Sequence, residues 1–127
     1  MNTKPKRILV VDDEPSLTRV VKFNLEQHGE YEVQEVHVSP HVLEEARRFQ
    51  PDLVLLDVMM PGMDGGAVAA QLLEDPGLKE VPIVFLTAAA RKAEVASRGG
   101  LIGGRPFLAK PLDLAALRHC LREHLGS

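Results

Sequence analysis

The sequence holds one cysteine, Cys120, no tryptophan, one tyrosine and four phenylalanines in 127 residues. A single cysteine excludes an internal disulfide and cannot build a thiolate metal cluster, which fits a reducing, cytoplasmic setting. So few aromatics leave the core to Val, Leu, Ile and Ala. The formal net charge is only −3, so there is no basic field of the kind that draws nucleic acid or an anionic membrane surface. No apolar run approaches the ~18 residues that would span a bilayer. Lys4, Lys6 and Arg7 precede an apolar run that stops at Asp12, far too short for a signal peptide. Neither GxxxxGK[ST] nor a GxGxxG after a strand is present, which removes the common nucleotide loops. His28, His37, His41, His119 and His124 are scattered over different segments, which argues against metal ligation or a phosphohistidine role.

What is present is an alternation of apolar runs and helical patterns, in a length that suits one domain over residues 1–127 with a short disordered N-terminus, 1–6. Ile8-Leu9-Val10-Val11 ends on Asp12, Asp13 and Glu14. Pro15 then opens a helix carrying Leu17, Val20, Val21 and Leu25, stopped at Gly29. Tyr31 to Val38 mixes apolar and charged residues, as an edge strand does. Ser39-Pro40 reads as an N-cap and first helical residue, with Val42, Leu43, Ala46 and Phe49 facing inward. Leu53-Val54-Leu55-Leu56-Asp57 reads as a strand buried on both faces, followed by a turn rich in Pro, Gly and Asp. Ala67 to Leu73 is a further helix closed by Asp75-Pro76-Gly77. Val81 to Leu86 is a fourth strand, ending on Thr87. Arg91 to Arg98 is a weak helix, and Phe107-Leu108-Ala109 a short fifth strand that reaches Lys110-Pro111. Asp113 caps a last helix bearing Leu114, Leu117, Leu121 and Leu125.

Strand and helix repeat five times, with connections too long for hairpins, so the crossovers are parallel and the architecture is a doubly wound α/β sandwich of three layers. Ligands of such sheets bind beyond the carboxyl ends of the strands. Those ends carry Asp12 and Asp13, Asp57, Thr87 and Lys110. A site of carboxylates without clustered His or Cys is hard, and it favours Mg²⁺ over zinc. A hydroxyl, an ammonium and a divalent cation around one carboxylate are what a tetrahedral anion bonded to that carboxylate needs, so Asp57 can act as a nucleophile toward phosphorus. Taken singly each residue has a plainer reading: a helix start for Asp12-Asp13, a turn residue for Asp64, a backbone-bonded hydroxyl for Thr87, a solvated side chain for Lys110. Four strands delivering complementary groups to one edge make coincidence the poorer explanation.

Over nearly its whole length the sequence resembles the receiver domain of two-component response regulators. The resemblance rests on Val10-Val11-Asp12-Asp13-Glu14, Leu55-Leu56-Asp57-Val58-Met59-Met60-Pro61-Gly62-Met63-Asp64-Gly65, Leu86-Thr87-Ala88 and Phe107-Leu108-Ala109-Lys110-Pro111. It implies a flavodoxin-like five-stranded parallel sheet in the order 2-1-3-4-5. It implies that Asp57 accepts a phosphoryl group from a histidine kinase or phosphotransfer protein. Asp13 and Asp57 would bind Mg²⁺ directly, with Asp12 assisting and Met59 lending its backbone carbonyl. Thr87 and Lys110 would hold phosphoryl oxygens, Thr87 and the ring at position 107 would form the switch, and the Lys110–Pro111 bond would be cis. Phe107 has no hydroxyl, so a switch at this ring works by packing; an ordinary core aromatic is the competing reading.

The expectation is thus a phosphoacceptor switch that catalyses only its own phosphorylation and slow dephosphorylation, meeting a kinase and an unidentified downstream protein, as a monomer or as a phosphorylation-dependent dimer through the last strand and its flanking helices. The short tail after Leu125 suggests a stand-alone regulator; a receiver cut from a longer regulator or hybrid kinase is the alternative. A phosphohydrolase with an aspartyl intermediate would need a DxD nucleophile motif, absent around Asp57. A phosphorylation-independent binding module would not need the acidic and lysine set. Glycines 99, 100, 103 and 104 weaken the helix before the last strand, so Arg91 to Arg105 is the expected mobile segment.

Overall fold

In the computed structural model, residues 4–60, 63–87, 101–102 and 105–125 are described. Five strands, β1 (Lys6–Val11), β2 (Tyr31–Val36), β3 (Leu53–Asp57), β4 (Ile83–Thr87) and β5 (Arg105–Ala109), form a parallel sheet in the order β2-β1-β3-β4-β5. The helices described are α1 (Pro15–Glu26), α2 (Val42–Phe49), α3 (Gly65–Glu74) and α4 (Leu114–Leu125).

The apolar runs are the reason for this arrangement. β3 and β4 are buried at every position, and alternate residues serve opposite faces. Leu9, Val11, Val54, Leu56, Ile83 and Phe85 pack with Val42, Ala46, Val68 and Leu72 of α2 and α3. Ile8, Val10, Leu53, Leu55, Val84 and Leu86 pack with Val21, Leu25, Leu117 and Leu121 of α1 and α4. A strand that is apolar at consecutive positions can satisfy both layers only by lying between them.

Several boundaries differ from the sequence reading. Lys6 lies inside β1, paired with Tyr31, rather than in a disordered terminus. Ser39-Pro40-His41 is a separate 3₁₀ turn, and α2 starts at Val42 with His41 as its cap. Gly65 and Gly66 form the first turn of α3 instead of preceding it. Val81 and Pro82 lie before β4, whose first residue is Ile83. Met59–Met60 and Met63–Asp64 pair as a two-residue antiparallel ribbon within the expected turn. Leu101–Ile102 runs antiparallel along the outer side of β5 at Pro106 and Arg105. The helix expected over 91–98 lies outside the described residues, as does most of the segment expected to be mobile.

The exposed margin of β2 is closed by side chains of α1. Lys22 Nζ donates to the Val33 carbonyl at 2.7 Å, and the Val33 N–H donates to Glu26 Oε2 at 2.9 Å. The two side chains are themselves paired at 3.1 Å. An open strand edge is a template for unwanted pairing, and this pair blunts it. Replacing Glu26 with Ala leaves the Val33 N–H without its acceptor and is expected to cost about 1–2 kcal/mol, seen as a lower urea midpoint. Hydrogen exchange at the Val33 amide should speed up together with it; an unchanged midpoint and exchange rate would show the clamp to be idle.

Candidate functional site

Register brings the chemistry together. Val11 lies beside Leu56, Asp57 beside Leu86, and Thr87 beside Ala109. The strands therefore run out at one level, and the residues that follow, Asp12 after β1 and Lys110 after β5, meet at the same edge. The Asp12 N–H donates to the Val36 carbonyl at 3.1 Å and the Lys110 N–H to the Thr87 carbonyl at 2.7 Å, which fixes both backbones to the sheet just beyond its last paired residues. The Lys110–Pro111 peptide is cis.

Asp12, Asp57 and Thr87 are buried, and Asp13 is exposed. Ligand oxygens of Asp12, Asp13 and Asp57 lie within 4.8 Å of one another. Such crowding of like charges is unfavourable unless a cation shares the space. Lys110 supplies one: its Nζ is 2.7 Å from Asp12 Oδ2, 3.2 Å from Glu14 Oε1 and 3.4 Å from Asp57 Oδ2. Partial burial by itself lowers the Lys110 pKa. Contact with Asp12, the charges of Asp12 and Asp57 and the hydrogen bond to Glu14 outweigh that and hold it above its ordinary value of 10.5.

Among the described residues, one ammonium stands against three clustered aspartates. Asp12 Oδ1 accepts the Glu14 N–H at 2.9 Å, whereas the buried Oδ2 accepts no well-directed hydrogen bond, so its contact with Lys110 is ionic. A buried carboxylate oxygen with unused accepting capacity, next to two further carboxylates, suits a hard divalent cation with oxygen ligands. The donor set therefore fits Mg²⁺.

The structure places the residues singled out in the sequence as follows. Asp12, Asp13, Asp57 and Lys110 are in one cluster, and Thr87 closes the neighbouring strand one register step beyond Asp57's partner Leu86. Met59 lies two residues past Asp57, its backbone paired with Asp64. Phe107 is half-buried beside Phe85 and packs on the α2–α3 face, the face to which strand alternation also assigns Thr87. Glu14 was missed as a partner of Lys110. Read in sequence, it is the third acid of a helix start, and only the fold brings position 110 to it. Also unforeseen was the contact of buried Thr18 Oγ1 with Glu35 Oε1 at 2.6 Å and His37 Nε2 at 2.9 Å, which ties α1 to the end of β2.

Beside the cluster an apolar groove of about 580 Å³ lies between α1 and the start of α4, lined by Leu17, Val20, Val21, Leu112 and Leu114 together with Glu14 and Lys110.

The family model of the response regulator receiver domain matches residues 8–122. The chain belongs to the response regulator receiver domain family. This receiver domain is 41% identical over 107 residues to the response regulator PleD of Caulobacter vibrioides, a match that covers 84% of this chain but 23% of PleD. Among solved structures, a putative response regulator of Chloroflexus aurantiacus superposes with a TM-score of 0.80 at 28% identity, covering 98% of this chain and all of that one. The receiver domain of the sensor histidine kinase PA1611 of Pseudomonas aeruginosa, solved with a magnesium ion coordinated in its active-site cleft, matches with a TM-score of 0.80 at 29% identity. That match covers 97% of this chain and 99% of the other.

The raised Lys110 pKa has a signed consequence. The folded state holds this proton more tightly than the unfolded chain, so the stabilisation is complete below pH 10.5 and is lost as pH rises through the higher folded value. In a ¹³Cε titration of the lysines, Lys110 is expected to titrate last, and Asp12→Asn to bring its midpoint down toward the others. A midpoint in line with the exposed lysines would contradict the ion-pair assignment.

Proposed function

We propose that this receiver domain accepts a phosphoryl group on Asp57 from a histidine kinase or phosphotransfer protein and thereby switches the binding of a downstream protein. The observation that carries the reading is the convergence of Asp12, Asp13, Asp57 and Lys110 at the carboxyl ends of the strands. An Asp57 carboxylate oxygen forms the new bond to phosphorus while the bond from phosphorus to the donor's nitrogen or acyl oxygen breaks, and the leaving group keeps the electron pair. Lys110, 3.4 Å from Asp57 Oδ2, would pair with a phosphoryl oxygen. Thr87 would offer its hydroxyl to a second.

Asp13 and Asp57, with Asp12 assisting and the Met59 carbonyl, would hold Mg²⁺, which when bound offsets the repulsion between the carboxylate and the incoming phosphoryl group. The magnesium in the cleft of the Pseudomonas receiver domain supports this assignment. The switch would couple Thr87 to Phe107 by packing on the face they share. The apolar groove lined in part by Glu14 and Lys110 lies beside the acceptor's lysine, where a phosphodonor partner would dock.

On this reading the domain catalyses only its own phosphorylation and slow dephosphorylation, in the cytoplasm. The chain spans 23% of PleD's length. A receiver acting on an output module of a longer protein is therefore the second reading beside a stand-alone regulator. Either could dimerise through β5 and its flanking helices on phosphorylation.

The test is incubation with Mg²⁺ and acetyl phosphate followed by intact mass measurement. One phosphoryl adduct is expected on the wild type, none on Asp57→Asn, and slower uptake on Asp13→Asn and Lys110→Ala. Absence of any adduct, with beryllofluoride also failing to bind, would favour a phosphorylation-independent module. Rapid multiple turnover of phosphomonoesters would make the protein an enzyme instead.

A further inference from the structure

Glu14 occupies the N-cap of α1, where its carbonyl accepts the Leu17 and Thr18 N–H groups at 3.1 and 3.3 Å. Its side chain makes no capping hydrogen bond. N-caps are usually filled by Ser, Thr, Asp or Asn, whose short side chains close the first turn. Glutamate here forgoes that stabilisation, and its carboxylate turns to Lys110, 96 residues along the chain, at 3.2 Å. A residue that breaks a local rule in order to touch a site is a candidate for a role in that site.

The Lys110 ammonium has three donors, and three carboxylates surround it: Asp12, Glu14 and Asp57. Asp12 and Asp57 also belong to the cluster suited to a cation, whereas Glu14 does not. A divalent cation drawing on Asp12 and Asp57 therefore leaves Glu14 as the remaining competitor for Lys110. At 57% side-chain exposure Glu14 can exchange Lys110 for water, while the Asp12 carboxylate is fully buried.

We infer that Glu14 is a positioning residue for phosphoryl uptake: it holds the Lys110 ammonium toward itself in the unphosphorylated domain and so competes with a phosphoryl oxygen on Asp57 for that charge. The inference rests on the reading of Asp57 as phosphoacceptor. It gives the domain a resting brake set by one side chain, separate from the groups that receive the phosphoryl group.

The test compares initial rates of phosphoryl uptake from acetyl phosphate with Mg²⁺, followed by intact mass, in four proteins: wild type, Glu14→Gln, Lys110→Ala and the double variant. Glu14→Gln is expected to accelerate uptake roughly two- to fivefold, the range of an ion pair with one exposed partner. In the Lys110→Ala background the same substitution is expected to change the rate by a factor near one, because the brake acts through the ammonium. An equal or slower rate for Glu14→Gln with Lys110 present overturns the inference. So does an acceleration that persists without Lys110, which would mean that Glu14 merely repels the donor anion. Wild type that takes up no phosphoryl group overturns the Asp57 reading itself and this inference with it, and is recognised by the absence of adduct in all four proteins.

Discussion

One ammonium group shared among carboxylates is the interaction on which the functional end of this molecule depends. Lys110 stands within 3.4 Å of Asp12, Glu14 and Asp57, whose chain positions belong to two different strand ends and the start of a helix. Two buried aspartates and an exposed one crowd together there, and removing one partner of a buried pair is costly. Among the described residues the carboxylates outnumber the ammonium. That imbalance is what makes the cluster receptive: a cation can enter among the aspartates, and an anion on Asp57 can take Lys110 in exchange for a carboxylate.

The sheet provides the rigidity that such a cluster requires. Strands buried on both faces cannot slide by one residue without exchanging the residues owed to the α2–α3 layer with those owed to the α1–α4 layer. The register that aligns Val11 with Leu56 and Thr87 with Ala109 is therefore fixed by packing, and the charged residues inherit their positions from it. The margins are handled locally. Lys22 and Glu26 close β2, and Leu101–Ile102 runs along β5. Away from the site, Arg47 of α2 bonds Asp75 in the turn after α3. That hydrogen bond, with a second from the Gly77 N–H, holds the Asp75 carboxyl below the usual carboxylate range.

Much of the fold was legible because its signals are local. Runs such as Leu53 to Leu56 announce a doubly buried strand, Pro15 the first turn of α1, and Asp113 the cap of α4, where its Oδ1 accepts the Ala115 N–H at 2.9 Å. The boundaries that shifted are those where two local signals compete. Ser39-Pro40 resembles an N-cap and first helical residue but closes into its own 3₁₀ turn. Gly65-Gly66 has little helix propensity, yet both residues form the first turn of α3. Pro82 reads as part of the strand, which starts one residue later at Ile83.

The sequence by itself determined the α/β alternation, the doubly buried strands and the identities of Asp12, Asp13, Asp57, Thr87 and Lys110 as groups carried to strand ends, because hydrophobic period and turn chemistry act over a few residues. Tertiary structure alone decided how those groups share charge. Whether Lys110 meets Asp12, Asp57 or Glu14 depends on distances of a few ångströms between segments far apart in the chain. Coulomb attraction and desolvation change steeply over such distances, and no pattern within the chain encodes them.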